Sequence, residues 1–237
     1  MLSKKKDIWI VISLCVLAFY IIFMIYPLGI LFKNAVIENN GSFTFAYFSK
    51  FLSKNYYFST IFNSFKVSLA ATALTLIIGT PLAYFYNMYK IKGKTFLQII
   101  IILCSMSAPF IGAYSWILLL GRNGLITNTL KNLTGFNVPS IYGFGGILLV
   151  LCMQLYPLVF LYVSGALRNI DNSLLEASEN MGCTGAKRFF KIIIPLCIPT
   201  ILAAALMVFM RAFADFGTPL FIGEGYRTFP VEIYNQF

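Results

Sequence analysis

Long apolar runs divide the chain into five segments separated by short polar and basic stretches. Apart from Arg211 near the end of the last one, the runs lack charged residues. Each reaches the length of about 20 residues that an α-helix needs to cross a bilayer. The pattern predicts transmembrane helices at residues 8–32, 67–89, 95–121, 141–167 and 192–214.

The composition agrees with a protein whose solvent is largely lipid. Of the 237 residues, 59% are hydrophobic and only 11% are charged, which leaves too little polar surface for a soluble domain of this size. We therefore expect an all-α polytopic membrane bundle forming a single domain over residues 1–237. The first apolar run is too long for a signal peptide and no small-x-small cleavage site follows it, so we interpret it as an uncleaved span.

The net charge of +10 does not indicate nucleic acid, because the basic residues stand at the ends of apolar runs. With the amino terminus in the cytoplasm, short inner connectors carry more basic residues than the longer outer loops, as membrane insertion favours. The inner basic residues are then Lys4, Lys5, Lys6, Lys90, Lys92, Lys94, Arg168, Lys187, Arg188 and Lys191. This orientation places residues 168–191 in the cytoplasm.

The chain offers little chemistry for catalysis. It has no His, and four of its five Cys lie in apolar runs, where we interpret them as small apolar fillers. The spans contain no convincing carboxylate pair or metal cluster, which argues against an intramembrane enzyme. No G-x-x-x-x-G-K-[ST] phosphate loop is present, so we expect no nucleotide, metal or cofactor bound by this chain.

The sequence of residues 168–191 predicts two short helices joined by a turn. Leu174–Ala177 should lie in a short helix capped by Asp171 or Asn172, and Gly182 permits a sharp reversal. Thr184 then caps a second helix, and Pro195 starts the next span. Such an element can fill a groove on a partner, and Glu176 can accept hydrogen bonds within the turn or from that partner.

The spacing in this stretch resembles the EAA loop of ABC importer permeases, E-A-A, three residues, Gly, nine residues, then I-x-L-P. The matching positions are Glu176, Ala177, Ser178, Gly182, Ile192 and Pro195, and both intervals agree. Two positions depart, with Ser178 for the second Ala and Ile194 for Leu. The resemblance implies that this segment docks on a separate ATP-hydrolysing subunit and transmits its closure.

Further motifs are similar to those of iron(III) importer permeases and extend the resemblance over nearly the whole chain. They are Asn63–Ser64, Gly79–Tyr84, Gly121–Ile126, Tyr142–Gly146, Tyr156–Phe160, Ala166–Asp171 and Ala214–Pro219. The resemblance implies the fold of a type I importer permease in a bacterial cytoplasmic membrane. It also implies a nucleotide-binding subunit dimer, an extracytoplasmic binding protein and a second permease half as partners.

Several alternatives remain at this stage. Permeases for polyamine, thiamine or sulfate-like oxyanions share many of these motifs. The family implies a sixth span, which would follow Phe237, so we expect an amino-terminal half or a truncated chain. A non-transporting remnant is the other reading of that missing span.

One charged pair near the last span is a further candidate. Arg211 and Asp215 are four residues apart, so on a helix they would share a face and could pair. Ionisable groups near a membrane are functional candidates, and we expect pathway lining or outer-face docking here. The alternative is that both residues sit at the interface, where Arg reaches water.

Overall fold

The computed structural model describes residues 2–37, 42–89, 92–106, 108–135 and 140–236. Helices occupy most of these residues, and the described part contains no β-strand, only an isolated bridge between Ile37 and Phe43. The predicted all-α fold is therefore confirmed.

The helices follow one another with short connections. In chain order they are α1 (Leu2–Tyr20), α2 (Tyr26–Val36), α3 (Ala46–Ser53), α4 (Asn55–Met88), α5 (Lys94–Ser105), α6 (Pro109–Leu120), α7 (Leu125–Thr134), α8 (Phe144–Arg168), α9 (Asn172–Asn180), α10 (Gly185–Arg188), α11 (Ile194–Phe213), α12 (Gly217–Ile222) and α13 (Phe229–Gln236). Two π-helical turns, Ile21–Ile25 and Phe189–Ile193, join α1 to α2 and α10 to α11. Within the described residues, four helical stretches are long and apolar enough to cross a membrane. The bent pair formed by Lys94–Ser105 and Pro109–Leu133 supplies a fifth if it counts as one span.

Contacts divide the chain into two units, Met1–Phe58 and Ser59–Phe237. In the first unit, residues Ile8–Val36 form one helical stretch of 29 residues. The π-turn within it precedes Pro27, and the Tyr26 N–H donates to the carbonyl of Ile21, five residues earlier. Because proline cannot donate to the residue four positions back, a π-turn before it keeps the helix continuous.

The core of the second unit lies between α4, α8 and α11. Apolar side chains from all three helices are completely covered there, including Ala71 of α4, Val159 of α8 and Val208 of α11. α8 is the most enclosed candidate span, with 56% of its most apolar window buried. The other helices of this unit are therefore arranged around α8.

Small and hydroxylated residues form the buried face of α4. Ser68 donates to the Ser64 carbonyl at 2.7 Å, Thr72 to the Ser68 carbonyl at 2.7 Å, and Thr75 to the Ala71 carbonyl at 2.8 Å. These bonds satisfy the hydroxyl groups within the helix itself, which makes them compatible with a membrane interior. Small side chains also let a neighbouring helix approach closely.

α4 approaches α8 closely at Gly79. A Cβ atom placed there would lie 2.7 Å from Cβ of Val159 and 3.1 Å from the carbonyl oxygen of Tyr156. No real Cβ makes contacts that short, so only glycine fits between the two helices without moving one of them. Gly79 therefore fixes the distance between α4 and α8.

The third predicted span is not one straight helix. The pair formed by Lys94–Ser105 and Pro109–Leu133 is bent by 104°. Ala108 has an extended backbone with ψ 140°, as expected for a residue that precedes proline, and Pro109 then begins α6. The predicted run 95–121 is thus divided by the local sterics of Pro109.

We expect Gly79→Ala to lower the free energy of unfolding by about 1–3 kcal/mol, because the added methyl group overpacks the α4–α8 contact. The measurement is a denaturing-detergent titration of the purified chain followed by circular dichroism. Gly165→Ala is the matched control, since a Cβ at Gly165 of α8 meets nothing within 4 Å. An equal effect of both substitutions would contradict the close-packing argument.

Candidate functional site

The first arm of the patterned segment is α9, whose start is capped by a side chain. Asp171 has an extended backbone, and its carboxylate accepts a hydrogen bond of 3.0 Å from the Ser173 N–H. This bond satisfies one of the amide donors that a helix leaves free at its amino terminus. Asp171 is one of the two capping residues that the sequence predicted.

The end of α9 is a Schellman turn at Gly182. The Gly182 N–H donates to the Glu179 carbonyl at 2.9 Å, and the Cys183 N–H donates to the Ser178 carbonyl at 2.8 Å. Gly182 has φ +72°, the left-handed conformation that this turn requires. A Cβ at Gly182 would meet nothing within 4 Å, so the glycine is needed for its backbone angle and not for space inside the chain.

The three residues of the E-A-S triplet have different surroundings. Ser178 is buried, and its hydroxyl donates to the Leu175 carbonyl at 2.7 Å. Glu176 and Ala177 are exposed. Among the described residues, Glu176 makes no hydrogen bond or ion pair, so its carboxylate is available to a partner and is not used within the turn.

The second arm continues directly into a candidate span. α10, the π-turn Phe189–Ile193 and α11 form one stretch, Gly185–Phe213, of 29 residues. The Ile194 N–H donates to the Phe189 carbonyl five residues earlier, which accommodates Pro195 in the first turn of α11. The sequence predicted that Thr184 caps this helix; Thr184 stands at the capping position, but its side chain makes no capping hydrogen bond.

Two contacts hold the segment to itself and to the core. The Phe189 ring lies 4.7 Å from the ring of Tyr84, which is buried in α4. Arg188 pairs with Glu179 at 3.5 Å, joining the two arms, and its side chain is only 19% exposed. The second arm is thus connected to α9 by an ion pair, to α11 by the continuous backbone and to α4 by the Phe189 ring.

The last two positions of the pattern lie on this second arm. Ile192 is half-buried, and Pro195 is exposed. Ile193 between them is 2% exposed and belongs to the core. The pattern thus marks where the segment meets the packed interior.

Arg211 and Asp215 do not pair, which corrects the prediction that they share a helix face. α11 ends at Phe213, so Asp215 lies beyond the helix and the i, i+4 geometry is lost. Asp215 instead accepts a hydrogen bond of 3.3 Å from the Thr218 N–H at the start of α12. Burial raises the pKa of the Asp215 carboxyl, although its bonds to Thr218 and Gly217 act in the opposite direction. Arg211 is exposed and has no ion pair in the described part of the chain.

A second cluster was missed as a site by the sequence reasoning. It joins Asn63–Ser64, Arg122, Tyr142–Gly143 and residues 222–232, and we call it the loop cluster. Asn63 Nδ2 donates to the Arg227 carbonyl at 3.1 Å, the Phe229 N–H donates to Ser64 Oγ at 2.7 Å, and the Gly143 N–H donates to the Ile222 carbonyl at 2.8 Å. The family-like motifs were the available signal, because three of them meet here.

Charged groups complete the loop cluster. Arg122 forms an ion pair with Glu224 and lies 5.3 Å from the centre of the Tyr142 ring. Arg227 pairs at 3.8 Å with Glu232, whose side chain is only 4% exposed. Of these groups, Arg122, Tyr142, Glu224 and Arg227 border a cavity of about 390 Å³ that also reaches Asn235. The cluster holds the segment after α11 against α4 and against the residues that follow α6 and precede α8.

The described residues contain no group of three or more His, Cys, Asp or Glu side chains that could hold a metal ion. The five cysteines are unpaired thiols, two of them buried in α8 and α11.

Comparison with known proteins agrees with this geometry. Residues 75–237 match the family described as "Binding-protein-dependent transport system inner membrane component". The chain is 28% identical to a putative ferric transport system permease protein of Haemophilus influenzae, over 98% of this chain and 38% of that protein. It is 24% identical to a putative 2-aminoethylphosphonate transport system permease protein of Salmonella typhimurium, over 99% of this chain and 82% of that protein.

A solved structure shares the fold. It is the crystal structure of a bacterial ABC transporter involved in the import of the acidic polysaccharide alginate, with a TM-score of 0.77 and 19% identity. The match covers 98% of this chain and 84% of the matched one. The chain spans 38% of the length of the Haemophilus influenzae relative, so it corresponds to part of that protein.

We expect a double-mutant cycle of Glu179→Gln and Arg188→Gln to give a coupling free energy of about 0.5–1 kcal/mol. The pair is half-covered, so the coupling should shrink when salt is raised. Unfolding of the purified chain in detergent, followed at low and high salt, measures it. A coupling of zero at low salt would show that the ion pair does not brace the two arms.

Proposed function

Because the chain belongs to the family of binding-protein-dependent transport system inner membrane components, we propose that it is the membrane-spanning part of an ATP-driven importer of ferric iron. The observation that carries this proposal is the segment 168–191, which we call the coupling segment. It begins with a capped helix whose Glu176 forms no hydrogen bond or ion pair among the described residues, and its second arm is continuous with a candidate span. A segment of this shape can transmit a conformational change of a partner to the membrane-spanning helices.

The exposed surface of the segment supports docking on a nucleotide-binding subunit. Leu174, Met181 and Phe190 of the same segment are 51%, 82% and 66% exposed, and Glu176 is exposed too. Exposed apolar side chains and a charged acceptor on one segment suit a partner groove that buries the former and donates hydrogen bonds to the latter. Glu176, Ala177, Ser178, Gly182, Ile192 and Pro195 are the proposed coupling residues, with Ser178 and Gly182 shaping the turn.

The transport cycle follows from this attachment. ATP binding closes a dimer of nucleotide-binding subunits on the cytoplasmic side, and the segment moves α11 directly and α4 through the Phe189–Tyr84 contact. A second permease half faces the first across the pathway, and an extracytoplasmic binding protein delivers the cargo. The amino terminus is cytoplasmic in this arrangement, with Arg211, Asp215 and the loop cluster at the outer side, where the binding protein docks. ATP is hydrolysed by the partner and not by this chain.

Ferric iron as cargo is supported by the relative that is 28% identical and by the motifs it shares with iron permeases. Purification of the permease containing this chain, with identification of co-purifying proteins and bound metal, tests the assignment. A nucleotide-binding subunit and an iron-loaded binding protein are expected. If the co-purifying binding protein carries 2-aminoethylphosphonate or a polyamine, the assignment of iron is wrong but the importer function stands. If no ATPase is recovered, the result favours a non-transporting remnant.

We expect Gly182→Asp to abolish transport and the stimulation of ATP hydrolysis by the binding protein, while membrane insertion stays intact. Asp strains the left-handed angle by about 1 kcal/mol and places a second carboxylate beside the proposed partner surface. ATPase assays on the assembled complex in lipid vesicles, with iron uptake, measure both effects.

Gly185→Asp is the matched control for that variant. Gly185 also has a positive φ, +56°, and a Cβ there likewise meets nothing within 4 Å, but the residue lies outside the pattern. Backbone strain alone would impair both variants equally. Normal transport by Gly182→Asp in the complete protein would refute the coupling role.

A further inference from the structure

A cavity of about 280 Å³ lies between α5, α6 and α8, away from the coupling segment and the loop cluster. Its lining includes six polar or polarisable side chains: Cys104, Ser115, Trp116, Met153, Gln154 and Tyr156. Gln154 stands near the middle of α8, one of the candidate membrane spans. The cavity is therefore at the depth of the membrane interior.

Of the polar side chains that line this cavity, Ser115 donates its hydroxyl hydrogen to the Ile111 carbonyl of its own helix at 2.8 Å. Among the described residues, the Gln154 amide, the Trp116 indole N–H and the Tyr156 hydroxyl have no hydrogen-bond partner. The hydroxyl groups of α4, by contrast, bond to their own helix. An unpaired amide in a membrane interior is costly, so such groups are found where water, cargo or another protein surface meets them.

Pro157 leaves a backbone carbonyl beside the same cavity without its usual helical donor. It has no N–H to donate to the carbonyl of Met153, four residues earlier in α8, and Met153 lines the cavity. α8 continues through Pro157, so the proline removes one backbone donor without ending the helix. The amide of Gln154 and the backbone beside it thus form a compact patch of hydrogen-bonding groups.

The lining has no formal charge, since none of its residues is Asp, Glu, Lys or Arg. A bare trivalent cation here would lose its hydration without meeting a compensating carboxylate, and an oxyanion would meet no Lys or Arg. A polar cargo whose charge is already compensated meets donors, acceptors and aromatic surface instead.

We propose that this cavity is a water-accessible cargo site in the membrane interior, with Gln154 as its main hydrogen-bonding residue. The proposal rests on the importer function above and specifies the form of the cargo. A metal ion passing this point carries its own ligands, as a complex of net charge near zero.

Cys104 supplies a native probe of water access. Variants of the complete permease that keep one cysteine each, Cys104 or Cys152, are reacted in lipid vesicles with a charged, water-soluble thiol reagent. Cys104 lines the cavity, whereas Cys152 is 6% exposed in the same membrane region. We expect Cys104 to react at least ten times faster.

A lipid-soluble maleimide shows whether the cavity opens to water or to lipid. Reaction of Cys104 with the maleimide but not with the charged reagent would mean that the cavity opens to lipid, and the proposal would be overturned. Equal slow reaction of both cysteines with the charged reagent would overturn it too. Either result, obtained with normal iron uptake, would leave the importer function standing.

The charge of the cargo is tested at Gln154. Gln154→Leu keeps the approximate size of the side chain but removes its hydrogen-bonding groups, and we expect uptake to fall at least tenfold. Gln154→Glu introduces a carboxylate, which should also reduce uptake of a neutral complex. Leu149→Ala, on α8 but outside the cavity lining, is the control and should transport normally.

Three other results of the Gln154 experiment would contradict the proposal or call for the cysteine data. Uptake by Gln154→Glu at or above the native rate would show that a bare cation is preferred and would overturn the neutral-complex assignment. Native uptake by Gln154→Leu would remove Gln154 from the site. Loss of uptake in every variant including Leu149→Ala would point to a folding defect, and the cysteine reactivities would then decide.

Discussion

In a membrane interior no water is present to bond free amides and carbonyls, and this constraint organises the whole structure. Long helices meet it by pairing the backbone with itself. The same rule applies to side chains, because the hydroxyl groups of Ser68, Thr72 and Thr75 donate hydrogen bonds to backbone carbonyls of α4. Two prolines, Pro27 and Pro195, follow π-helical turns, so each is accommodated without ending its helix. The result is a set of long helices whose buried faces are small enough to pack closely.

The places where the rule is relaxed coincide with the proposed functional elements. The chain turns between α5 and α6 because Ala108 must be extended before Pro109. α9 ends in a left-handed glycine, and α8 leaves Gln154 unpaired one turn before Pro157. Gln154 lines the cavity between α5, α6 and α8, and the left-handed Gly182 shapes the coupling segment.

The coupling segment shows how a weakly packed surface element can act on a packed interior. Its helix α9 is largely exposed, so it is free to engage a partner. Its second arm shares a continuous helix with α11, and Phe189 contacts Tyr84 in the core. α9 is joined to this arm by the turn at residues 181–184 and by the Arg188–Glu179 ion pair. The close contact at Gly79 packs α4 against α8.

What could be predicted from the sequence varies from element to element. The apolar runs predicted the helices well where their ends are marked by charge, as at Arg168. They missed the start of α4 at Asn55, because its first turns are aromatic and polar, and they missed the break at Pro109, where the apolar run continues without interruption. The Arg211–Asp215 pair was predicted from spacing alone and is wrong, because α11 ends between the two residues. The coupling role of the Glu176 pattern stays a prediction.

The sequence by itself determined the all-helical membrane fold, the cap at Asp171 and the turn at Gly182. Each of these depends on hydrogen bonds between residues a few positions apart, or on the removal of apolar side chains from water. Only the tertiary structure decided that Asn63 meets Arg227, 164 residues away, that Phe189 rests on Tyr84, and that Gln154 faces a cavity. Those relations depend on how closely helices approach one another. That distance is set by the shapes of both surfaces together, as Gly79 against Val159 shows, and neither surface alone specifies it.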